Sequence, residues 1–426
     1  MKNEEKNILY IEKPFLVKKG EIYRLCAKIK INDKEDMLYF EVEEKWGKYL
    51  VTEYSDPFIL AVLERAMKNK WNIKFEQPMS EDLYYGLTTY TIPIYAKNIK
   101  IFNEINLIGD TTNFLVNSEN AVGTGFSAGV DSFYTVLKHL SNEVPSSKKL
   151  THLVLTLNGA ASTGKTKELD EFWFENSIKR LKPYAKEMNL ELIGIKGNID
   201  LFYKDDKCFR GDTIVTGSFI HALRKLFSTY YWASSYPAEI FGFPDLEDAG
   251  FWENIAVSYV SVEGLRFYHS GSETTRIGKV KYISSNSIAQ KGLIVCGRAD
   301  AKNCGRCEKC LRTMSELNAI GKLNLFNKTF PVNDYKKNYT SRLADEFAID
   351  HPPFTTDIKK EMRSNGKNIS IVIYIKYICY YVPFYFLKNY LKDIKWLRRI
   401  YYKLNIGGQR TTKEEQEAKL KALDKE

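Results

Sequence analysis

Four of the seven cysteines in this 426-residue chain fall within fifteen positions, in the run CGRADAKNCGRCEKC. Cys296, Cys304, Cys307 and Cys310 stand at C-x7-C-x2-C-x2-C. Thiolates at that spacing can bite one ion and close a tetrahedral four-sulfur site, which suits Zn2+. An iron–sulfur cluster is the alternative for the same ligands, and four free thiols in a reducing compartment is the plain reading. Four thiolates leave no open coordination position. The site is therefore expected to be structural, clamping a helix expected at 305–320 to the sheet, and not catalytic.

A second local feature lies well upstream, in TGFSAGVDSFYTVLKHL, residues 124 to 140. A strand-like run at 121–126 breaks into Ser127-Ala128-Gly129-Val130-Asp131-Ser132 and then into an amphipathic helix. One reading is a tight strand-to-helix connection capped by Asp131 and Ser132. The other is a phosphate cradle, because small residues let backbone N–H groups approach an anion at a helix N-terminus. Around this turn the pattern alternates. Strands are expected at 121–126, 151–157, 190–195, 238–243 and 293–296, and helices at 131–140, 167–188, 216–232, 273–284 and 305–320. Such alternation argues for a parallel sheet covered on both faces, with ligands at the carboxyl ends of its strands.

The flanks read differently. Residues 1–117 alternate like strands, as in EIYRLCAKIKI and DMLYFEVEE, with one helix signalled by Asp56-Pro57. They are expected to form a β-rich α+β domain. Residues 118–325 carry the α/β pattern, and 326–426 form a basic, aromatic-rich, helical C-terminal region with a linker-like stretch at Pro352-Pro353. The chain has a formal charge of +10, and from Phe326 onward 20 Lys and Arg face 12 Asp and Glu. The body is thus nearly balanced, and the excess charge lies at the end. The first residues lack the apolar core of a signal peptide, so a cytoplasmic protein is expected.

A further motif competes with the turn. Gly159-Ala-Ala-Ser-Thr-Gly164-Lys165-Thr166 matches the G-x4-G-K-[ST] phosphate loop. Against it, the next helix opens with Glu168, Asp170 and Glu171, poor neighbours for phosphates, and no later apolar run ends in a clear Asp for Mg2+.

Taken together, the turn and the cysteines suggest a family. Ser127-Ala128-Gly129-Val130-Asp131-Ser132 resembles S-G-G-x-D-S, the PP-loop of the N-type ATP pyrophosphatases. The NCGRCEKCLRTM run resembles the zinc knuckle of one branch of that superfamily, the 7-cyano-7-deazaguanine synthases. The resemblance covers about half the chain, and the two motifs come in the family's order. Ala128 departs from it, standing where the loop has its first glycine. The resemblance implies an adenine-nucleotide α-hydrolase-like (HUP) α/β domain with a zinc knuckle, and ATP, Mg2+ and Zn2+ as cofactors. It implies an ATP-dependent, AMP- and pyrophosphate-forming ligase that adenylates a small carboxylate or amide and then transfers nitrogen to it. Ser127, Ala128, Gly129, Val130, Asp131 and Ser132 would hold phosphates, and Leu157 and Asn158 would meet adenine through backbone groups. Asp131 has two jobs open to it, capping the helix or helping to hold Mg2+.

Cations for the phosphates should come from HSGSETTRIGKVKYISS, where Arg276 and Lys279 lie three apart on one helical face. With Asp131 and Ser132 they form the expected catalytic set; His269 and Glu273 stand near the same helix start, and Arg210 and Arg224 are weaker candidates. A solvated helix start is the plain alternative for this stretch. Two other functions stay open. One is a non-catalytic nucleotide-binding sensor or partner-binding protein, and the other is a tRNA-modifying PP-loop enzyme; nucleic acid is not the expected partner.

Residues 369–403 combine aromatics with a basic run. Lys388, Lys392, Lys395, Arg398, Arg399 and Lys403 face only Asp393 there, and Lys376 and Pro383 interrupt the apolar stretch. The pattern fits peripheral contact with an anionic membrane. It equally fits a helical pair packed on the α/β domain.

Overall fold

The computed structural model describes residues 7–381, apart from 33, 158–166, 200–212, 244–248, 298–301 and 350–352. The chain divides into two compact units. One holds residues up to Ser127 together with Thr135–Thr274, and the other holds Ala128–Tyr134 together with the chain from Thr275 onward.

The first unit is built on one eleven-stranded sheet. Its strands are β1 (Ile8–Ile11), β2 (Phe15–Lys19), β3 (Ile22–Ile31), β4 (Lys34–Glu43), β5 (Asn72–Phe75), β6 (Leu107–Ile108), β7 (Ala121–Gly125), β8 (His152–Leu157), β9 (Glu191–Gly197), β10 (Phe227–Ala233) and β11 (Arg266–Ser270). The spatial order is β11-β10-β7-β8-β9-β4-β3-β1-β5-β6, with β2 added on β3. The five strands from β11 to β9 run parallel, with Thr124 opposite both Leu153 and Tyr231, and Trp232 opposite His269. β9 then meets β4 antiparallel, Ile195 opposite Val42, and so joins the parallel half to the N-terminal β3–β4 hairpin in one sheet.

Within the parallel half the chain lays down β7, β8 and β9 in one direction, then crosses back to place β10 on the other side of β7. β7 is therefore the strand at which the order reverses, as in doubly wound sheets that bind ligands beyond the carboxyl ends of their strands. Leu153, Val154 and Leu155 of β8 are all buried, the continuous apolar run that a strand covered on both faces requires.

The crossovers are helical. They are α2 (Val130–Leu140), α3 (Lys167–Glu187), α4 (Thr213–Ala222) and α5 (Glu253–Tyr259), following α1 (Asp56–Asn69) of the N-terminal part. All ten residues of α4 are buried, so it is a core helix and needs no polar face. A buried polar hub holds α1 and α4 in place. Asp56 Oδ1 accepts the Ser80 backbone N–H at 2.8 Å, and its Oδ2 accepts the Ser80 hydroxyl and Arg224 Nη1, the latter at 3.1 Å. Arg224 Nη2 donates to the Glu263 carbonyl at 2.7 Å.

Several expected elements are placed differently. The helix expected at 216–232 ends at Ala222, and its second half is β10. The sequence FSTYYWA there is aromatic and β-branched, suited to a pleated surface. Residues 238–243 form no strand: Pro237 precedes a single turn at Ala238–Ile240. Nor is 293–296 a strand, because its backbone bonds go elsewhere. Ile294 N–H donates to the Ala128 carbonyl at 2.9 Å, and the Val295 and Cys296 N–H groups donate to Asn303 Oδ1 at 2.9 and 3.3 Å.

The second unit is helical, with α6 (Arg276–Ser284), α7 (Glu308–Ala319), α8 (Tyr339–Ile349), α9 (Phe354–Ser364) and α10 (Ile371–Lys376). Ile277, Ala319, Leu343, Ala344, Phe347, Ile358, Met362 and Ile373 form a core among them. The stretch that reads as a linker around Pro353 is in fact α9, which buries Phe354, Ile358 and Met362 four residues apart. Among the described residues no helix is long and apolar enough to cross a membrane.

Candidate functional site

The second unit gathers both sequence motifs. The chain leaves β7, passes the exposed Ser127 and enters this unit at Ala128. Ala128 is fully buried with φ +61°, left-handed backbone that strains any residue with a Cβ. The S-G-G-x-D-S loop that this stretch resembles has glycine at this position, and a glycine would relieve this backbone. The Ala128 carbonyl accepts Ile294 N–H, which clamps the turn two residues ahead of Cys296. The first helical bond of α2 then forms, Phe133 N–H to the Gly129 carbonyl at 2.9 Å. The Ser132 hydroxyl donates to the same carbonyl at 3.1 Å, and Val130 is buried.

An Ala128→Gly substitution should relieve the left-handed strain and lose a smaller entropic advantage. A gain of about 0.5–1 kcal/mol is expected, read as a higher urea midpoint at unchanged slope. An unchanged or lower midpoint would speak against the left-handed backbone at this position.

Asp131, in the first turn of α2, meets the two cations expected from the sequence. Lys279 Nζ lies 2.9 Å from Asp131 Oδ1, and Arg276 Nη1 lies 3.3 Å from Asp131 Oδ2. Thr275 caps α6 by accepting Gly278 N–H at 3.3 Å, which sets Arg276 and Lys279 on the first two turns of that helix, on one face. Arg276 also reaches α7, with Nε 3.3 Å from Glu316 Oε1 and Nη2 donating to Thr313 Oγ1 at 3.2 Å. Lys279 is 1% exposed and Arg276 9%, while 28% of the Asp131 side chain stays open to solvent. Burial pushes the Asp131 carboxyl upward. The charges of Lys279 and Arg276 and the Lys279 hydrogen bond outweigh it and hold the carboxyl below the usual range. The result is a carboxylate and two buried cations at a helix start, an arrangement able to meet a bound anion or a divalent ion.

Cys296, Cys304, Cys307 and Cys310 converge so that all four sulfurs lie within 4.8 Å of one another. The Cys304–Cys310 and Cys296–Cys307 sulfurs are 3.9 and 3.8 Å apart. A tetrahedral ion with Zn–S bonds of about 2.3 Å sets its sulfurs about 3.8 Å apart, so the cluster has the size of a metal site. The neighbouring thiols Cys296, Cys307 and Cys310 hold the Cys304 thiol down, and Cys296, Cys304 and Cys307 hold the Cys310 thiol up. Four thiolates packed this closely would repel one another, and a cation among them would offset that repulsion.

The surroundings of the cluster were less visible in the sequence. Cys304 Sγ accepts the Arg306 and Cys307 N–H groups at 3.4 and 3.2 Å. Gly305 allows that turn: its φ is +70°, and a Cβ there would lie 2.2 Å from Pro331 Cγ. Asn303 ties the cluster to its neighbours, accepting from Val295 and Cys296 and donating to the carbonyls of Leu293 and Thr329, both at 2.9 Å. A single asparagine among lysines carries no spacing signal that could have announced this role.

The remaining candidates lie elsewhere. His269, near the end of β11, donates from Nε2 to Glu253 Oε1 at 2.8 Å, and the buried Glu253 also accepts Trp232 Nε1, the Ser234 hydroxyl and the Ser235 N–H. Glu273 pairs with Lys138 and accepts the Gly271 N–H. Arg224 joins the buried Asp56 hub, with Nη1 3.1 Å from Asp56 Oδ2. Leu157 is the last residue of β8, opposite Lys196, with its side chain buried. Asn158, Arg210, the competing 159–166 loop and the basic run at 388–403 lie outside the described residues.

Comparison with known proteins returns no matching family model, no matching curated protein and no matching solved structure.

Proposed function

We propose that the chain is a PP-loop enzyme of the HUP type, forming AMP and pyrophosphate from ATP to activate a small carboxylate or amide for nitrogen transfer. The observation that carries this reading is Asp131, held by Lys279 and Arg276 in the first turn of the helix that follows β7.

In this reading the start of α2 offers N–H groups and a favourable dipole to phosphate oxygens. Lys279 and Arg276 supply fixed positive charge in a water-poor setting, where it acts most strongly on charge developing in phosphoryl transfer. Asp131 is the residue that would hold magnesium, which neutralises the departing pyrophosphate when bound. The substrate oxygen attacks the α-phosphorus, pyrophosphate leaves, and an amine or ammonia then displaces AMP from the adenylate. The chain's contribution is positioning and charge. The four cysteines would hold Zn2+ as a structural ion, since a four-sulfur shell leaves no place for substrate.

Calorimetric titration with ATP and Mg2+, paired with an ATP–pyrophosphate exchange screen over small acids, tests the reading. Binding together with exchange supports it. A second reading, nucleotide binding without turnover, is favoured by the strained, buried Ala128 in the loop. Binding with no exchange for any acid would select it.

A further inference from the structure

We propose that the cavity between α3 and β4 binds an amphipathic anion, a single acyl chain with a negatively charged head. The cavity lies wholly within the first unit and measures about 770 Å3, inside the roughly 300–1,000 Å3 of small-molecule sites. It arises where the two halves of the sheet join, at β9 and β4. Side chains alternate across a sheet, and Phe40, Val42, Ile193 and Ile195 enter the core shared with α1 and α4. Their neighbours Glu41, Glu43, Leu192, Gly194 and Lys196 take the opposite face and line the cavity. α3 packs on that face over β9. Gly194 admits it, since a Cβ there would lie 2.9 Å from Phe174 Cζ and 3.1 Å from Ile178 Cδ1.

The cavity has an apolar floor and a basic wall. Ile22, Phe174, Ile178, Leu190 and Leu192 supply the floor. Along α3 the lining runs from Phe174 to Ala185, about 16 Å of helix, which suits an extended chain better than a compact ring. Lys179, Lys182 and Lys186 follow at steps of three and four on the exposed flank of α3 beside it. Among the described residues none of these three is in an ion pair. Lys196 Nζ stands 5.4 Å from the centroid of the Phe174 ring. Two of the lining carboxylates already have cations: Arg24 Nη2 lies 2.6 Å from Glu41 Oε2, and Lys45 Nζ 3.3 Å from Glu191 Oε2. With these pairs set aside, four lysines stand against Glu43 and Glu175, and the surplus is positive. A purely apolar guest would gain nothing from the lysines, and a small inorganic anion nothing from the floor. An acyl chain with an anionic head gains from both, the chain by leaving water and the head by meeting ammonium groups.

Calorimetric titration of the full-length chain with dodecanoate, kept below the concentration at which it forms micelles, tests the proposal. One molecule should bind per chain, saturably. Dodecanol, with the same chain and no charge, should bind at least about tenfold more weakly, and acetate should not bind. Dodecyl phosphate forms a second arm: whichever anion binds more tightly assigns the head, a free acid or a phosphate monoester. Lys179→Glu with Lys182→Glu should weaken dodecanoate about tenfold or more and leave dodecanol unchanged, because only the charged head loses partners. Ile178→Asp places a charge in the floor and should weaken both. Both lysines are exposed, so the charge variant should keep the wild-type circular dichroism spectrum, and it decides alone if the aspartate variant misfolds. Three results would overturn the proposal: no saturable binding of either anion, dodecanol binding as tightly as dodecanoate, or a charge variant that binds dodecanoate like the wild type. None of these outcomes depends on nucleotide chemistry.

Discussion

A Cys307→Ser chain should lose its metal and unfold its second unit far below the wild-type transition. Cys307 is fully buried and its sulfur lies 3.8 Å from that of Cys296, so a hydroxyl there cannot complete the tetrahedron. Because the site assembles only in the folded chain, metal binding free energy is folding free energy. The segment it closes also clamps the turn, through Ile294 and the Ala128 carbonyl, and is held by Asn303. A loss above about 4 kcal/mol is expected, in the range reached by removal of a structural metal. Elemental analysis should find about one zinc per wild-type chain and almost none in the variant. Retention of full metal content with an unshifted thermal transition would contradict a four-cysteine site.

An Asp131→Asn chain should fall at least about 100-fold in AMP formation, the scale seen when one preorganised electrostatic group is removed from an active site. The amide keeps the shape of the side chain but takes away the charge shared by Lys279 and Arg276. Stability should drop by no more than about 3 kcal/mol, because the carboxylate is part exposed and Arg276 keeps Glu316. The pH dependence gives a second readout. The folded carboxyl lies below its ordinary value, so its contribution is fully present above about pH 4 and is lost as pH falls further; the variant should show less acid destabilisation in that window. A folded variant with wild-type turnover would remove Asp131 from the mechanism.

Much of the candidate site was legible because its chemistry shows in short spacings. The four cysteines announce themselves by C-x2-C repeats, and Arg276 and Lys279 by their separation on a helix. What joins them was hidden, since Asp131 lies 145 residues before Arg276 in the chain and its partners are chosen by packing. The strained φ at Ala128 was likewise invisible, because an alanine reads as an ordinary small residue until its backbone is seen. In the fold, β7, β8 and β9 followed their apolar runs closely. β10 was lost inside a longer apolar stretch, where the buried helix α4 and the strand after it share one composition. The 238–243 run looked like a strand by hydrophobicity alone, although Pro237 and Gly242 bracket a turn.

The bond of ATP that breaks separates adenylation from simple ATP hydrolysis. Phosphorus-31 NMR of ATP, Mg2+ and the purified chain, with each acid that supports exchange, should show AMP and pyrophosphate growing together in equal amounts. ADP and inorganic phosphate as the products would contradict cleavage at the α-phosphorus and return attention to the 159–166 phosphate-loop sequence.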